Sequence, residues 1–134
     1  MPSTACSDTI QALFAAMGEF RADDVGALLT QDVRWWFPQS GVAQGFLPSR
    51  CAEGRDAVLH GIRQAPDAFQ RLSLTVIHLL EDGDMVAVHA LGQGLTQSGK
   101  DYSNEYHFLF RFVDEKIAEA WEFLDTAYAY SLFG

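Results

Sequence analysis

The sequence is poor in several things that would have decided its class at once. Its 134 residues hold only two cysteines, Cys6 and Cys51. They have neither the density of a disulfide scaffold nor the spacing of metal ligands, which fits reduced thiols and a cytoplasmic home. Basic residues are scarce, with 9 Lys and Arg against 18 Asp and Glu and a formal charge of -9. Such a surface repels nucleic acid and anionic membranes, so neither is expected as a partner. No apolar run approaches the roughly 18 residues that span a bilayer, and Met1 to Asp8 do not read as a secretory leader. Repeats, low-complexity tracts and charge blocks are missing too.

Aromatic residues, in contrast, are abundant: 10 Phe, 4 Tyr and 3 Trp, 13% of the chain. A core built from this length has little room for so many rings, and some are expected to line a cavity.

Along the chain, helices come first. Ser7 or Asp8 is placed to cap a helix whose Ile10, Leu13, Phe14, Met17 and Phe20 recur at three and four. Asp23 is placed to cap a short second helix with Val25, Leu28 and Leu29, and Asp32 opens a strand from Val33 to Phe37 closed by Pro38. A Gly- and Pro-bearing loop follows from Pro38 to Gly54, in which Phe46 and Leu47 are candidates to cap an apolar cavity. Gly54-Arg55-Asp56 then introduces a third helix ending near Pro66.

The remainder reads as sheet. Leu72 to Leu80 and Met85 to Leu95 flank Glu81-Asp82-Gly83-Asp84, where Asp-Gly marks a hairpin turn. Tyr102–Val113 and Lys116–Ala127 flank Asp114-Glu115, with Glu115 standing where glycine is easier. If Val113 faces Lys116 and the ladder runs on without a slip, Phe112, Phe110, Phe108, Tyr106 and Asn104 share one face with Ile117, Glu119, Trp121, Phe123 and Asp125. That face is an aromatic slab with a polar end. The opposite face then pairs Arg111 with Ala118, Leu109 with Ala120, His107 with Glu122 and Glu105 with Leu124. A slip of one residue would exchange the two sets.

The order of elements, with Asp32-Val33 before an aromatic strand, Gly54-Arg55-Asp56-Ala57-Val58 opening a helix, and the segment from Asn104 to Ala127, resembles the SnoaL-like family of the ketosteroid isomerase-like superfamily. The best-matching residues are Asn104 to Phe108, Phe110 to Phe112, Lys116-Ile117 and Trp121 to Thr126. The resemblance implies one SnoaL-like domain over residues 1–134. It also implies an α+β cystatin-like cone, in which a strongly curved, mostly antiparallel sheet packs with three helices around a pocket. A homodimer formed through sheet faces is a further implication.

Function transfers less well than fold, because this superfamily grafts many chemistries onto one cavity. The steroid isomerase pattern wants a carboxylate near Phe37 and a tyrosine near Leu13 or Phe14, and the limonene-epoxide hydrolase pattern wants an arginine between two carboxylates; both are disfavoured. The polyketide cyclase pattern places an acidic general acid/base late in the last strand, where Asp125 stands.

Asp125 and Asn104 are therefore the expected catalytic pair, the carboxylate desolvated and the amide orienting it. Pinning the chain terminus through backbone bonds beside Thr126 is an equally weighted role for Asp125. Trp35, Phe37, Tyr102, Tyr106, Phe108, Trp121 and Phe123 are the expected ligand lining, with the phenols orienting a polar end. His107 with Glu122 reads as a surface or interface pair. His78 and His89, even with His60, fall short of a metal site, and neither metal nor cofactor is expected. The expected ligand is a small apolar or aromatic molecule. The expected activity is cofactor-independent isomerisation, cyclisation or hydrolysis of an apolar carbonyl compound. A noncatalytic carrier or sensor, or a dimeric interaction module, stands as the alternative.

Overall fold

A computed structural model describes residues 4–45 and 47–133; Phe46, one of the two expected cavity caps, lies outside the described residues. The elements run α1 (Thr4–Gly18), α2 (Ala22–Gly26), β1 (Leu29–Trp36), α3 (Gln39–Ala43), β2 (Cys51–Glu53) and α4 (Arg55–Gln64), followed by a 3-10 turn at Ala65–Asp67. Then come β3 (Phe69–Asp82), β4 (Met85–Thr96), β5 (Asp101–Val113), β6 (Lys116–Leu124) and α5 (Thr126–Phe133). The architecture is the expected α+β cone: one six-stranded sheet in the order β2-β1-β6-β5-β4-β3, wrapped about helices.

The periodic stripe of α1 forms as read, with Ile10, Leu13 and Phe14 essentially inaccessible to solvent. Its start lies earlier than Ser7 or Asp8, which sit inside the helix. The Thr9 hydroxyl donates back to the Ala5 carbonyl at 2.9 Å, a bond made only when that first turn is helical. The Pro38 to Gly54 segment is not a bare loop. It holds α3 and then β2, which runs antiparallel to β1 with Trp36 opposite Cys51 and Arg34 opposite Glu53.

All strand pairs are antiparallel except β1 with β6. The β3–β4 hairpin turns at Gly83-Asp84, because Asp82 faces Met85. This corrects the expected turn by one residue. Gly83 takes φ of +61° at the first central position, where a tight hairpin of this kind requires glycine. The β5–β6 hairpin turns at Asp114-Glu115 as expected, and both residues take positive φ, +49° and +67°.

A bulge then changes the reading of β6. Val113 faces Lys116 and Phe112 faces Ile117, but Arg111 faces Glu119, so Ala118 is the extra residue. From there on every β6 side chain lies on the face opposite to that expected. Phe110 pairs with Ala120, Phe108 with Glu122 and Tyr106 with Leu124 on the inner face; Leu109 pairs with Trp121 and His107 with Phe123 on the outer one. Bulges of this kind also tighten sheet curvature, and a second one at Ile77 does the same in β3. The strand ends at Leu124 rather than Ala127, and α5 replaces its expected last residues.

The core collects Phe14 from α1, Val25 from α2, Leu29, Val33 and Trp35 from β1, Val86 and Val88 from β4, and Phe108 and Phe110 from β5. The rings pack in a graded series. Tyr106 stacks on Phe108 at 5.7 Å and Phe108 on Phe110 at 5.5 Å, while Trp35 meets Phe108 edge-on at 6.4 Å. Glycine makes room for this row, since a Cβ at Gly92 would lie 2.5 Å from the Tyr106 ring.

Candidate functional site

The inner face of β5 and β6 carries one carboxylic acid, Glu122, directly opposite Phe108. The Trp35 indole N–H donates to Glu122 Oε1 at 3.0 Å, which ties the acid to β1. Protein crowds this carboxyl although the residue keeps some accessible surface. Burial raises its pKa from 4.5 to about 7, only partly opposed by the indole hydrogen bond. Near neutral pH the group is thus present both as acid and as base.

Two phenols stand near it on the same face. Tyr102 and Tyr106 are 3% and 8% exposed, and their hydroxyls share a hydrogen bond of 2.5 Å. Burial raises both phenol pKa values, Tyr106 well above the ordinary value, and the charge of Glu122 pushes each the same way. Both phenols therefore remain protonated donors. Between them they own two hydroxyl protons, and their mutual bond uses one. The amide of Asn104 donates to the Tyr102 oxygen at 3.1 Å and accepts no proton from it.

Asn104 and Asp125 do meet, but not through the Asp125 carboxylate. The Asn104 amide donates to the Asp125 carbonyl and accepts from the Asp125 N–H, both at 3.1 Å, prolonging the β5–β6 ladder after β6 has turned away. The Asp125 side chain is exposed and accepts from the Tyr128 N–H at 3.0 Å, capping the start of α5. Its side chain thus lies outside the inner face. The desolvated acid of the inner face is Glu122.

Of the expected lining, Trp35, Tyr102, Tyr106 and Phe108 are gathered on the inner face, and Phe37 packs against the core from the end of β1. Trp121 and Phe123 are carried to the outer face by the bulge at Ala118, and Phe123 is 50% exposed. Next to Phe123 on that outer face lies a row of imidazoles from His78, His89 and His107. The Nδ1 atoms of His78 and His89 lie 3.1 Å apart, within hydrogen-bond distance, and His89 Nε2 contacts Glu105 at 2.9 Å. The bulge thus separates His107 from Glu122. Among the described residues no group of three or more His, Cys, Asp or Glu side chains is arranged to hold a metal ion. A groove of about 410 Å³ crosses the ends of β3, β4 and β5, lined by polar residues such as Arg71, Gln93, Asp101 and Ser103, with Tyr102 on its margin. It does not reach Glu122.

The SnoaL-like domain profile matches residues 10–120. The chain belongs to the SnoaL-like domain family. Solved structures carry the same fold. An NTF2-like protein of unknown function from Burkholderia pseudomallei superimposes with a TM-score of 0.85 at 22% identity over 97% of this chain and 98% of its own. TerC, co-crystallised with polyporic acid, gives a TM-score of 0.84 at 18% identity, covering 96% and 98% of the two chains. IdmH of Streptomyces antibioticus, described as a candidate polyketide cyclase, gives 0.76 at 21% identity over 96% and 98%. No curated protein matches the sequence significantly. No helix among the described residues is long and apolar enough to cross a membrane.

Within this SnoaL-like frame, Glu122 is the residue that sequence reasoning misplaced. The pattern around it, Ile117-Ala118-Glu119-Ala120, carries one faint signal: two successive apolar residues, both buried, which an unbroken period of two does not explain. Its neighbour Glu119 shows what the displaced outer face does with an acid. Glu119 is buried, accepts from the Trp36 indole at 2.8 Å and pairs with Arg34 and Arg111. That carboxylate is consumed by structure, whereas Glu122 is held by a single neutral donor.

Proposed function

We propose that this SnoaL-like chain binds a small apolar or aromatic carbonyl compound and carries out cofactor-independent acid/base chemistry, isomerisation or cyclisation first among the possibilities, with Glu122 as the proton-transferring group. One observation carries the reading: an inner-face carboxyl bonded to the Trp35 indole, opposite Phe108 and raised to about pKa 7, on the same face as a pair of protonated phenols. A carboxyl tuned to neutrality is suited to both halves of a proton transfer.

Ionised Glu122 takes a proton from the carbon beside the ligand carbonyl. The C–H electron pair becomes the enolate double bond, and the carbonyl pair moves to oxygen. The hydroxyl proton left over from the Tyr102–Tyr106 bond is the donor available to that oxygen. Protonated Glu122 then returns the proton to a second carbon, or the enolate closes on another carbonyl. Trp35, Phe108 and Phe14 supply apolar walls, and Asn104 fixes the Tyr102 oxygen from the far side. Asp125 stands outside this chemistry.

Native mass spectrometry of the protein purified from its own host tests the proposal, with the Glu122→Gln variant alongside. The expected outcome is a bound apolar carbonyl compound that persists unprocessed in the variant. Empty protein in both forms, or identical ligand chemistry in both, contradicts it.

A second copy of the chain has its place on the outer sheet face, where Leu80 is 72% exposed and Phe123 50% exposed beside the imidazole row. A shift from dimer to monomer in Phe123→Asp, read by analytical ultracentrifugation, is the expected outcome. A wild-type monomer at every concentration removes this part of the reading.

A further inference from the structure

We infer that the imidazole row makes the pairing of two copies of this chain proton-sensitive: the outer sheet faces close on one another while His78, His89 and His107 are neutral and part when they are protonated. The inference rests on the reading of that face as the contact with a second copy, and it is independent of the chemistry assigned to Glu122.

The row crosses three strands without a gap. His89 of β4 stands directly opposite His78 of β3 on one side and His107 of β5 on the other, and the rings stack at 5.4 Å and 5.2 Å with nearly parallel planes. The bulge at Ile77 completes it. Val76 faces the buried Ala90, so an unbroken ladder would set Ile77 against His89 and turn His78 inward against Val88.

The hydrogen bonds of the row fit one neutral arrangement. The Glu105 carboxylate can only accept, so the proton of neutral His89 sits on Nε2, 2.9 Å away. His89 Nδ1 is then an acceptor, and His78 Nδ1 donates to it across 3.1 Å. A second proton on His89 sets two donors face to face and breaks that bond.

Further positive charge has little to balance it. Of the three imidazoles only His89 has a carboxylate within ion-pair distance among the described residues. β4 holds no other titratable group between Met85 and Thr96, and β6 sets Phe123 against His107. Farther along the same face Glu119 is already held between Arg111 of β5 and Arg34 of β1. Arg71 and Asp101 stand at one end of the face, Asp82 at the other, and Glu53 of β2 lies opposite Arg34. Helices α1, α2 and α4 supply the core on the inner side.

A second copy suits this face for a reason of charge. The chain carries a formal charge of -9, yet Glu105, Glu119, Arg34 and Arg111 are two of each sign, so identical faces meet here without net repulsion at neutral pH. A contact between identical faces duplicates every charge. Protonating the row adds up to three positive charges per copy against the one acid at Glu105, in a patch whose exposed Leu80 and Phe123 gain by leaving water.

Analytical ultracentrifugation at pH 7.5 and 5.5 tests the inference, carried out in a Glu122→Gln background so that the inner-face acid does not titrate in the same interval. An interface that excludes a proton weakens up to ten-fold per pH unit below the free group's midpoint, and two copies double the exponent. The dimer Kd is therefore expected to rise roughly 100-fold between the two pH values. His78→Gln with His107→Gln, which removes the two imidazoles lacking an acid, is expected to cut that change to less than about five-fold. Equal Kd at both pH values, or full pH dependence in the double variant, overturns the inference while leaving the dimer in place. A monomer at every concentration at pH 7.5 removes the dimer and the inference together.

Dilution calorimetry at pH 6 gives an arm that needs no histidine variant. Heats measured in two buffers of different ionisation enthalpy count the protons taken up as the copies separate, and about one per copy is expected. No uptake overturns the inference. Near-UV circular dichroism is expected to be unchanged at pH 5.5, showing parted but folded chains; its loss there overturns the inference as well.

Discussion

Replacing Glu122 by Gln should stabilise the protein increasingly as pH rises from about 4.5 to 7, with the full effect above that. Burial lifts the carboxyl from 4.5 to about 7 in the folded chain. Below about pH 4.5 the group is protonated in folded and unfolded chains alike and contributes nothing to pH dependence. Between these limits the folded chain holds a proton that the unfolded chain has released, so stability falls as pH rises. Above pH 7 both forms are ionised and the full cost of the enclosed charge is present. At about 1.4 kcal/mol per unit, a rise of this size amounts to about 3 kcal/mol.

Glutamine keeps the oxygen that accepts from Trp35 and has the shape of the neutral acid, but it never acquires the charge. Urea titrations of wild type and Glu122→Gln should therefore coincide within about 0.5 kcal/mol near pH 4.5 and separate by about 3 kcal/mol at pH 8. In melting temperature the gap at pH 8 is roughly 10 °C for a chain of this length. The wild type should carry the falling limb between pH 4.5 and 7, and the variant should lack it. Parallel pH profiles, or a variant that is less stable at pH 8, would refute the reasoning, because either result means that the carboxylate is already well solvated or well paired when ionised.

Other perturbations probe separate parts of the same account. Trp35→Phe removes the one hydrogen bond that favours the ionised acid, so the Glu122 pKa should climb further above its wild-type value, as read by carboxyl infrared absorption across pH 6 to 9. Glu115→Gly relieves a side chain held at φ of +67° in the β5–β6 turn and should stabilise the fold by about 1 kcal/mol in a urea titration. Gly92→Ala drives a methyl group against the Tyr106 ring, 2.5 Å from its nearest atom, and should cost about 1–3 kcal/mol while breaking the Tyr102–Tyr106 bond, a change visible in the tyrosine ring NMR signals.

The fold was legible in the residues because each of its large elements repeats a simple signal. The stripe from Ile10 to Met17 and the Gly54 entry to α4 appear where the pattern puts them, and both long hairpins form, the β3–β4 turn one residue later than read. The Asp114-Glu115 turn is real even though neither residue is glycine, since the ladder on both sides holds it in place. The candidate site was only half legible. Tyr102, Asn104, Tyr106 and Phe108 share one face as read because β5 alternates without interruption, buried on every second residue from Tyr102 to Phe112.

The faces of β6 were read in reverse because β6 does not alternate. One extra residue at Ala118 breaks the period of two in a strand that pairs with β1 in parallel and with β5 in antiparallel register. That single residue exchanges Glu122 for Trp121 and Phe123 on the inner face. α5 was hidden for a different reason: Thr126 to Phe133 is short and rich in aromatics, which suit a strand as well as a helix. Only Asp125, as a cap, hinted at the change of structure.

The most direct measurement of the central claim is the titration of Glu122 itself. In protein labelled with ¹³C at the glutamate side-chain carboxyl, the resonance that disappears in Glu122→Gln should move with a midpoint near pH 7. A Glu122 resonance that has completed its titration by about pH 5 would contradict the account, because the inner face would then hold a permanently ionised carboxylate with no proton to offer at neutral pH.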